Sequence, residues 1–244
     1  MPSEAQWLKK RISPTTRLAL SEGFVRRCPP LMHRASEALF DLPIPAYVRR
    51  EKFLFIHVPK NAGTSIAMQV YKRIVAHRPA WFFSASDHDW FATRATFAIV
   101  RNPWDRLIAA YEFARQGKGE NAFVNPSVAS IISKSKSFKH FLMDHLLRDP
   151  NNLVHKDPTF KTQASYLCDI DGENIIVNNV FRFEELRLMQ DWLRGLGVEV
   201  SLDMRMNKTL ARGEFPNYYR DNEMIEAVSR IYQSDVEHFG YSFE

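Results

Sequence analysis

The sequence predicts an α/β fold in three layers, a central parallel sheet flanked by helices, and three observations lead there. Short apolar runs of strand length alternate with stretches of helical periodicity. Two of these runs are followed by helix-start residues: Thr64 and Ser65 come after residues 53–58 and a short loop, and Asn102 and Pro103 come after residues 96–100. The chain has no internal repeat that would argue for an array. Strands that each feed a helix run parallel and are covered on both faces.

Taken in order, residues 53–58 (FLFIHV) read as the first strand, ended by Pro59, and residues 64–77 as a helix with Ile66, Val70 and Ile74 on one face. Residues 81–86 (WFFSAS) and 96–100 (TFAIV) read as two further strands. The helix begun by Asn102 and Pro103 then places Trp104, Leu107, Ile108 and Tyr111 at i, i+3, i+4 and i+7. Helical patterns recur at 137–147, 183–195 and about 220–238, and residues 174–180 (NIIVNNV), after the turn signal Asp171-Gly172, read as a strand. The weakly patterned stretch 117–136 is expected to be a mobile loop beside the site.

With 244 residues, 45% hydrophobic and 25% charged, the chain has globular proportions, which exclude disorder, collagen and coiled coil. Cys28 and Cys168 form neither a disulfide framework nor a zinc spacing, so no metal is expected. No apolar run is long enough to span a bilayer, and Lys9, Lys10, Arg11 and Arg17 interrupt the N-terminus where an export signal would be apolar. A cytoplasmic location is the expectation. The net charge is +5, and the excess is confined to residues 1–50, with nine Lys/Arg against four Asp/Glu. Residues 1–50 thus read as a basic arm or helical extension and 51–244 as the main domain. The arm could meet an anionic inner membrane surface, or be a solvated helix packed on the domain. No recognition motif accompanies the charge, so nucleic acid is not an expected partner.

The segment from His57 to Ser65 (HVPKNAGTS) joins a strand to a helix start, where backbone N–H groups converge and the helix dipole is positive. Gly63 permits close approach to an anion, Thr64 and Ser65 add donors, and Lys60 adds charge. Together they read as a phosphate cradle resembling a P-loop. An ATP-binding P-loop needs its lysine directly after the last glycine, and Lys60 instead precedes Gly63. Nor does an apolar strand lead into an aspartate for magnesium, since residues 96–100 are followed by Arg101. Arg101 follows a strand at a carboxyl edge of the sheet, where it can grip a second phosphate. For Arg106 a structural role is expected.

PKNAGTS at 59–65 resembles the 5′-phosphosulfate motif, and Arg101 to Tyr111 the 3′-phosphate motif, of sulfotransferases that use 3′-phosphoadenosine 5′-phosphosulfate (PAPS). The likeness to family 2 carbohydrate sulfotransferases and their bacterial relatives extends through Gln163 to Gly172, VFRFEEL at 180–186, Asn-Lys-Thr at 207–209 and a terminal helix ending His-Phe-Gly-Tyr. It implies a P-loop-like fold, PAPS as donor, and a carbohydrate or glycolipid acceptor whose hydroxyl takes the sulfuryl group in line without a metal. On that resemblance the cofactor residues are Lys60, Asn61, Ala62, Gly63, Thr64, Ser65, Arg101, Thr209 and Arg212, with Ala109 where the family carries a serine that contacts the 3′-phosphate.

Transfer also needs a cation at the leaving phosphate and a base for the acceptor proton. Lys60 suits the first role. For the second, His88 lies between Asp87 and Asp89 and resembles in position a catalytic histidine of the uronyl branch, with His57 and Glu112 as alternatives. Gln163 is a candidate to face the acceptor, and Arg182 and Glu184 are expected to pair with each other. Two further readings stay open: a non-catalytic nucleotide-binding homologue, suggested by Ala109, and an ATP-dependent kinase.

Overall fold

A computed structural model describes residues 14–27, 44–116, 124–149, 153–202 and 215–243. Three parallel strands, β1 (Phe53–Ile56), β2 (Ala95–Val100) and β3 (Asn179–Arg182), lie side by side in that order. Phe53 pairs with Ala95 and Ile56 with Ala98, then Phe97 with Asn179 and Val100 with Arg182. Every β1 residue and all of β2 after Ala95 are buried, which requires cover on both faces and accounts for their unbroken apolar runs.

The helices are α1 (Pro14–Arg27), α2 (Gly63–Val70), α3 (Ala80–Ser86), α4 (His88–Ala92), α5 (Pro103–Gln116), α6 (Pro126–Lys134), α7 (Ala164–Leu167), α8 (Leu186–Gly195), α9 (Asn222–Ile231) and α10 (Gln233–Phe239). Further short helical segments, among them Ala46–Arg49 and Leu153–Lys156, link them. On one sheet face Phe97 stacks on Phe55 with centroids 4.8 Å apart, and Trp192 of α8 closes that layer at 5.2 Å from Phe97. Aromatic packing of this kind adds about 0.5–1.5 kcal/mol per pair beyond area burial. Helix α1 packs against α3 and buries Val25, and Ile44 and Val48 join the same core. Among the described residues, no helix is long and apolar enough to cross a membrane.

Several expected elements differ. Residues 81–86 form a helix, not a strand: Pro79, at its N-cap, lacks the N–H that a ladder needs, and Ser86 Oγ donates back to the Phe82 carbonyl at 2.6 Å. The strand expected at 174–180 starts only at Asn179. Before it, Asn178 and Thr96 bond through their side chains, and Ile175 bridges Cys168 instead. The expected loop 117–136 contains helix α6, capped by Asn125 and anchored by the buried Val128 and Ile132, while residues 117–123 lie outside the described residues.

Helix α2 stops at Val70, because Tyr71 turns inward and its hydroxyl accepts from the Phe55 amide at 2.9 Å; Ile74 is left exposed. Residues 141–147 form a π-helix, and the C-terminal helix breaks at Tyr232 into α9 and α10. Arg182 and Glu184 do not pair: Arg182 donates to the Phe239 carbonyl at 2.6 Å, while Glu184 accepts from the Asn102 amide and the Tyr241 hydroxyl.

Candidate active site

The turn after β1 is shaped by two residues whose backbone is left-handed, Lys60 at φ 69° and Ala62 at φ 60°. Left-handed non-glycine residues carry about 1–2 kcal/mol of strain each, and such turns point successive amides toward one concavity. Among the described residues, the N–H groups of Lys60 through Thr64 donate to no protein acceptor, and the hydroxyls of Thr64 and Ser65 have no partner. The free donors therefore gather at the start of α2. Gly63 is needed for a different reason than anion access: a Cβ there would overlap the His57 ring, which fills the space behind the turn.

Asn61 does not offer its side chain to a ligand. It is buried, and its Nδ2 donates to the Ile99 carbonyl at 2.7 Å and to Gln163 Oε1 at 2.8 Å, so it contributes its backbone alone. Gln163 is likewise fully buried and faces no acceptor, a correction to the expectation; it ties together the turns that follow β1 and β2. Its own amide and that of Ala164 are held by the buried Asp235 carboxylate at 2.9 and 2.8 Å.

Arg101 leaves the carboxyl end of β2 and meets Lys60. Its Nη1 donates to the Lys60 carbonyl at 3.2 Å, its Nε and Nη2 hold Asp105 bidentately at 2.7 and 2.8 Å, and the guanidinium lies over the Phe183 ring. Of its five N–H groups, two stay available beside the free amides. Asp105, Ala109 and Phe113 recur every four residues on one face of α5. Asp105 holds Arg101, and Phe113 lies under the Lys60 ammonium at 3.7 Å. Ala109 lies midway between them and is buried. Burial, then Arg101, then Arg106 push Lys60 down to about 7.

Arg106 is structural as expected. Almost wholly buried, it donates to the carbonyls of Pro59, Lys161 and Thr159 at 3.1, 2.9 and 3.2 Å and so anchors the start of the turn. His57 and His77 lie behind it with ring centroids 4.0 Å apart. His57 Nδ1 approaches the Val75 carbonyl at 3.2 Å, and His77 Nδ1 the His57 carbonyl at 2.9 Å. Burial keeps both rings neutral, His57 well below its ordinary value and His77 at about 4.

His88 is not brought to this cradle. A parallel sheet requires the chain to return to its amino edge before β2, and α3 makes that return, leaving α4 on the far side. There Asp87 pairs with Arg49 at 2.8 Å and caps Trp90, whose ring lies against Arg49 and Arg94, residues close to the starts of β1 and β2. His88 itself is exposed. Glu112 is buried, with its carboxylate held by Arg115 at 2.7 Å and the Tyr218 hydroxyl at 3.2 Å. Thr209 and Arg212 lie outside the described residues. Sequence reading missed the left-handed turn, which no residue type at 60 or 62 signals, and the Gln163 clamp, whose partners are remote in the chain.

The fold and this edge define an α/β protein with a ring of free donors and cations at the carboxyl ends of its strands. A family model described as the sulfotransferase family matches residues 46–242, and the chain belongs to that family, among the family 2 sulfotransferases. Its members transfer sulfuryl groups to an acceptor and in general use PAPS. No curated protein and no solved structure matches the chain.

Proposed function

We propose that the chain binds PAPS in a P-loop-like cradle and transfers its sulfuryl group to a hydroxyl of a carbohydrate or glycolipid. The observation that carries this reading is the meeting of Arg101 Nη1 with the Lys60 carbonyl beside five unpartnered backbone N–H groups, so that two anion grips share one rim. Residues 60–65 suit the 5′-phosphate: Lys60, Asn61, Ala62, Gly63 and Thr64 through their amides, Thr64 and Ser65 also through hydroxyls. The two free N–H groups of Arg101 suit the 3′-phosphate.

Transfer forms an O–S bond on the acceptor, breaks the bridging S–O bond and releases the hydroxyl proton to water, leaving added negative charge on the 5′-phosphate. The Lys60 ammonium, held over Phe113, lies at that phosphate's end of the cradle and stabilises the charge in a partly dry setting. His88, on the far edge of the sheet, has no part in the step. Ala109 favours one competing reading, a homologue that binds the nucleotide and does not turn over.

Calorimetry with adenosine 3′,5′-bisphosphate against ATP plus magnesium tests the donor. Binding of the bisphosphate that Lys60→Ala and Arg101→Ala each weaken by about tenfold or more is expected. Tight ATP binding with no response to the bisphosphate would sink the reading. Transfer of labelled sulfate from PAPS to a glycan panel, retained in His88→Ala, separates an active enzyme from a binding homologue.

A further inference from the structure

A second cleft, of about 320 Å³, lies away from the free amides of the cradle, between α1, α3, the segment 160–165 and the end of α9. Its walls are the rings of Trp81, Phe160, Tyr166 and Tyr232. Both tyrosine hydroxyls are already bonded, to the Pro158 and Phe160 carbonyls, so they present faces and not polar ends. Arg26 roofs the cleft: its guanidinium lies 4.3 Å over Trp81, and its Nη1 donates to the Ile170 carbonyl.

Two charges in this cleft are unused. Glu22 and Lys161 are each partly buried, and among the described residues neither makes an ion pair or a side-chain hydrogen bond. They feel one another, since Lys161 is the cation that acts most strongly on the Glu22 carboxyl, yet they do not meet. Burial pushes that carboxyl up despite Lys161, Arg78 and Arg26 nearby. Asp157, another carboxylate that Lys161 acts on, accepts from the Asn125 and Thr159 amides. A desolvated carboxylate and an ammonium left unpaired are both costly unless something completes them. Bulk water does so poorly between aromatic walls.

We propose that this cleft binds a small zwitterion with an apolar body, the chemistry of a free amino acid, its ammonium on Glu22, its anionic group on Lys161 and its side chain between Trp81 and Tyr166. Unlike charges that line one cleft without pairing fit a ligand that carries both charges. The aromatic rings add cation–π attraction for the ammonium and cover for the body. The proposal does not rest on the sulfotransferase reading, because none of its residues belongs to the cradle.

Three ligands of one body test it on the whole chain: L-phenylalanine, phenethylamine, which has only the cation, and 3-phenylpropionate, which has only the anion. Saturable binding of phenylalanine at millimolar concentration, at least about tenfold tighter than either partner, is expected. Glu22→Gln should weaken phenylalanine and phenethylamine and spare phenylpropionate, and Lys161→Met should weaken phenylalanine and phenylpropionate and spare phenethylamine. Adenosine 3′,5′-bisphosphate should not displace phenylalanine. Absence of phenylalanine binding, equal affinity for all three ligands, indifference to both substitutions, or displacement by the bisphosphate would each overturn the assignment. The ligand series on the unaltered protein decides even where a variant folds poorly. Failure of the bisphosphate to bind anywhere would count against the cradle and leave this cleft standing.

Discussion

Gln163 and Arg101 hold each other's polar groups: Gln163 Oε1 accepts from the Arg101 amide at 2.8 Å, and its Nε2 donates to the Arg101 carbonyl at 2.8 Å. The same Oε1 takes the Asn61 side chain at 2.8 Å, so one buried amide fixes the turn after β1 against the turn after β2. The spacing between the Lys60 turn and Arg101 is therefore set by a residue that belongs to neither.

Gln163→Leu removes this clamp, leaving the Arg101 peptide without its buried partner and Asn61 with the Ile99 carbonyl alone. A loss of about 2–4 kcal/mol in urea unfolding is expected, with weaker bisphosphate binding in the fraction that stays folded. An unchanged unfolding midpoint would show that the clamp carries no weight.

In the ligand-free protein Lys60 titrates at about 7, lowered first by burial and then by Arg101 and Arg106. A bound polyanion favours the ammonium and raises that value, so binding takes up a proton near neutrality. Affinity for adenosine 3′,5′-bisphosphate should be greatest below pH 7 and fall as pH rises above it, by up to about tenfold per unit. Calorimetry in two buffers of different ionisation enthalpy reads the proton directly, and Lys60→Met should abolish the uptake.

Ala109 lies midway between the residue that holds Arg101 and the residue under Lys60, where the family's motif carries a serine. Ala109→Ser restores a donor aimed between the grips. Since a hydrogen bond to a charged group is worth about 1.5–3 kcal/mol, bisphosphate affinity should improve at least about tenfold. Equal affinity in the two proteins would place the 3′-phosphate elsewhere.

His57 and His77 are neutral in the folded protein, with His77 lowered to about 4 by burial and by Arg106 and Lys60. Their folded values lie below the unfolded ones, so the unfolded chain binds more protons as pH falls. Stability should be flat above about pH 6.5 and drop progressively toward pH 4, by roughly 3 kcal/mol for His77 alone. His77→Asn, which can still donate to the His57 carbonyl, should flatten that profile in urea titrations.

The strands β1 and β2 were legible because unbroken apolar runs followed by Asn102 and Pro103, or by Gly63 and Thr64, leave little choice of local structure. Residues 81–86 misled because a short apolar run has no period of its own; the missing Pro79 N–H and the lack of a strand partner made it a helix. His88 misled for a related reason. Its acidic neighbours suggested an oriented imidazole, but Asp87 was already engaged by Arg49 and by the helix it caps.

By itself the sequence determined the parallel α/β order, the family, and the residue types at the two proposed anion grips, because these depend on local spacing and on the obligatory hydrogen bonding of strand and helix ends. Only the tertiary structure decided that Lys60 and Arg101 touch, that Asn61 and Gln163 serve the scaffold, that His88 stands on the opposite edge, and that Glu22 and Lys161 share a cleft. Those facts follow from chain return and burial, which join residues far apart in sequence and remove from use any polar group already satisfied inside.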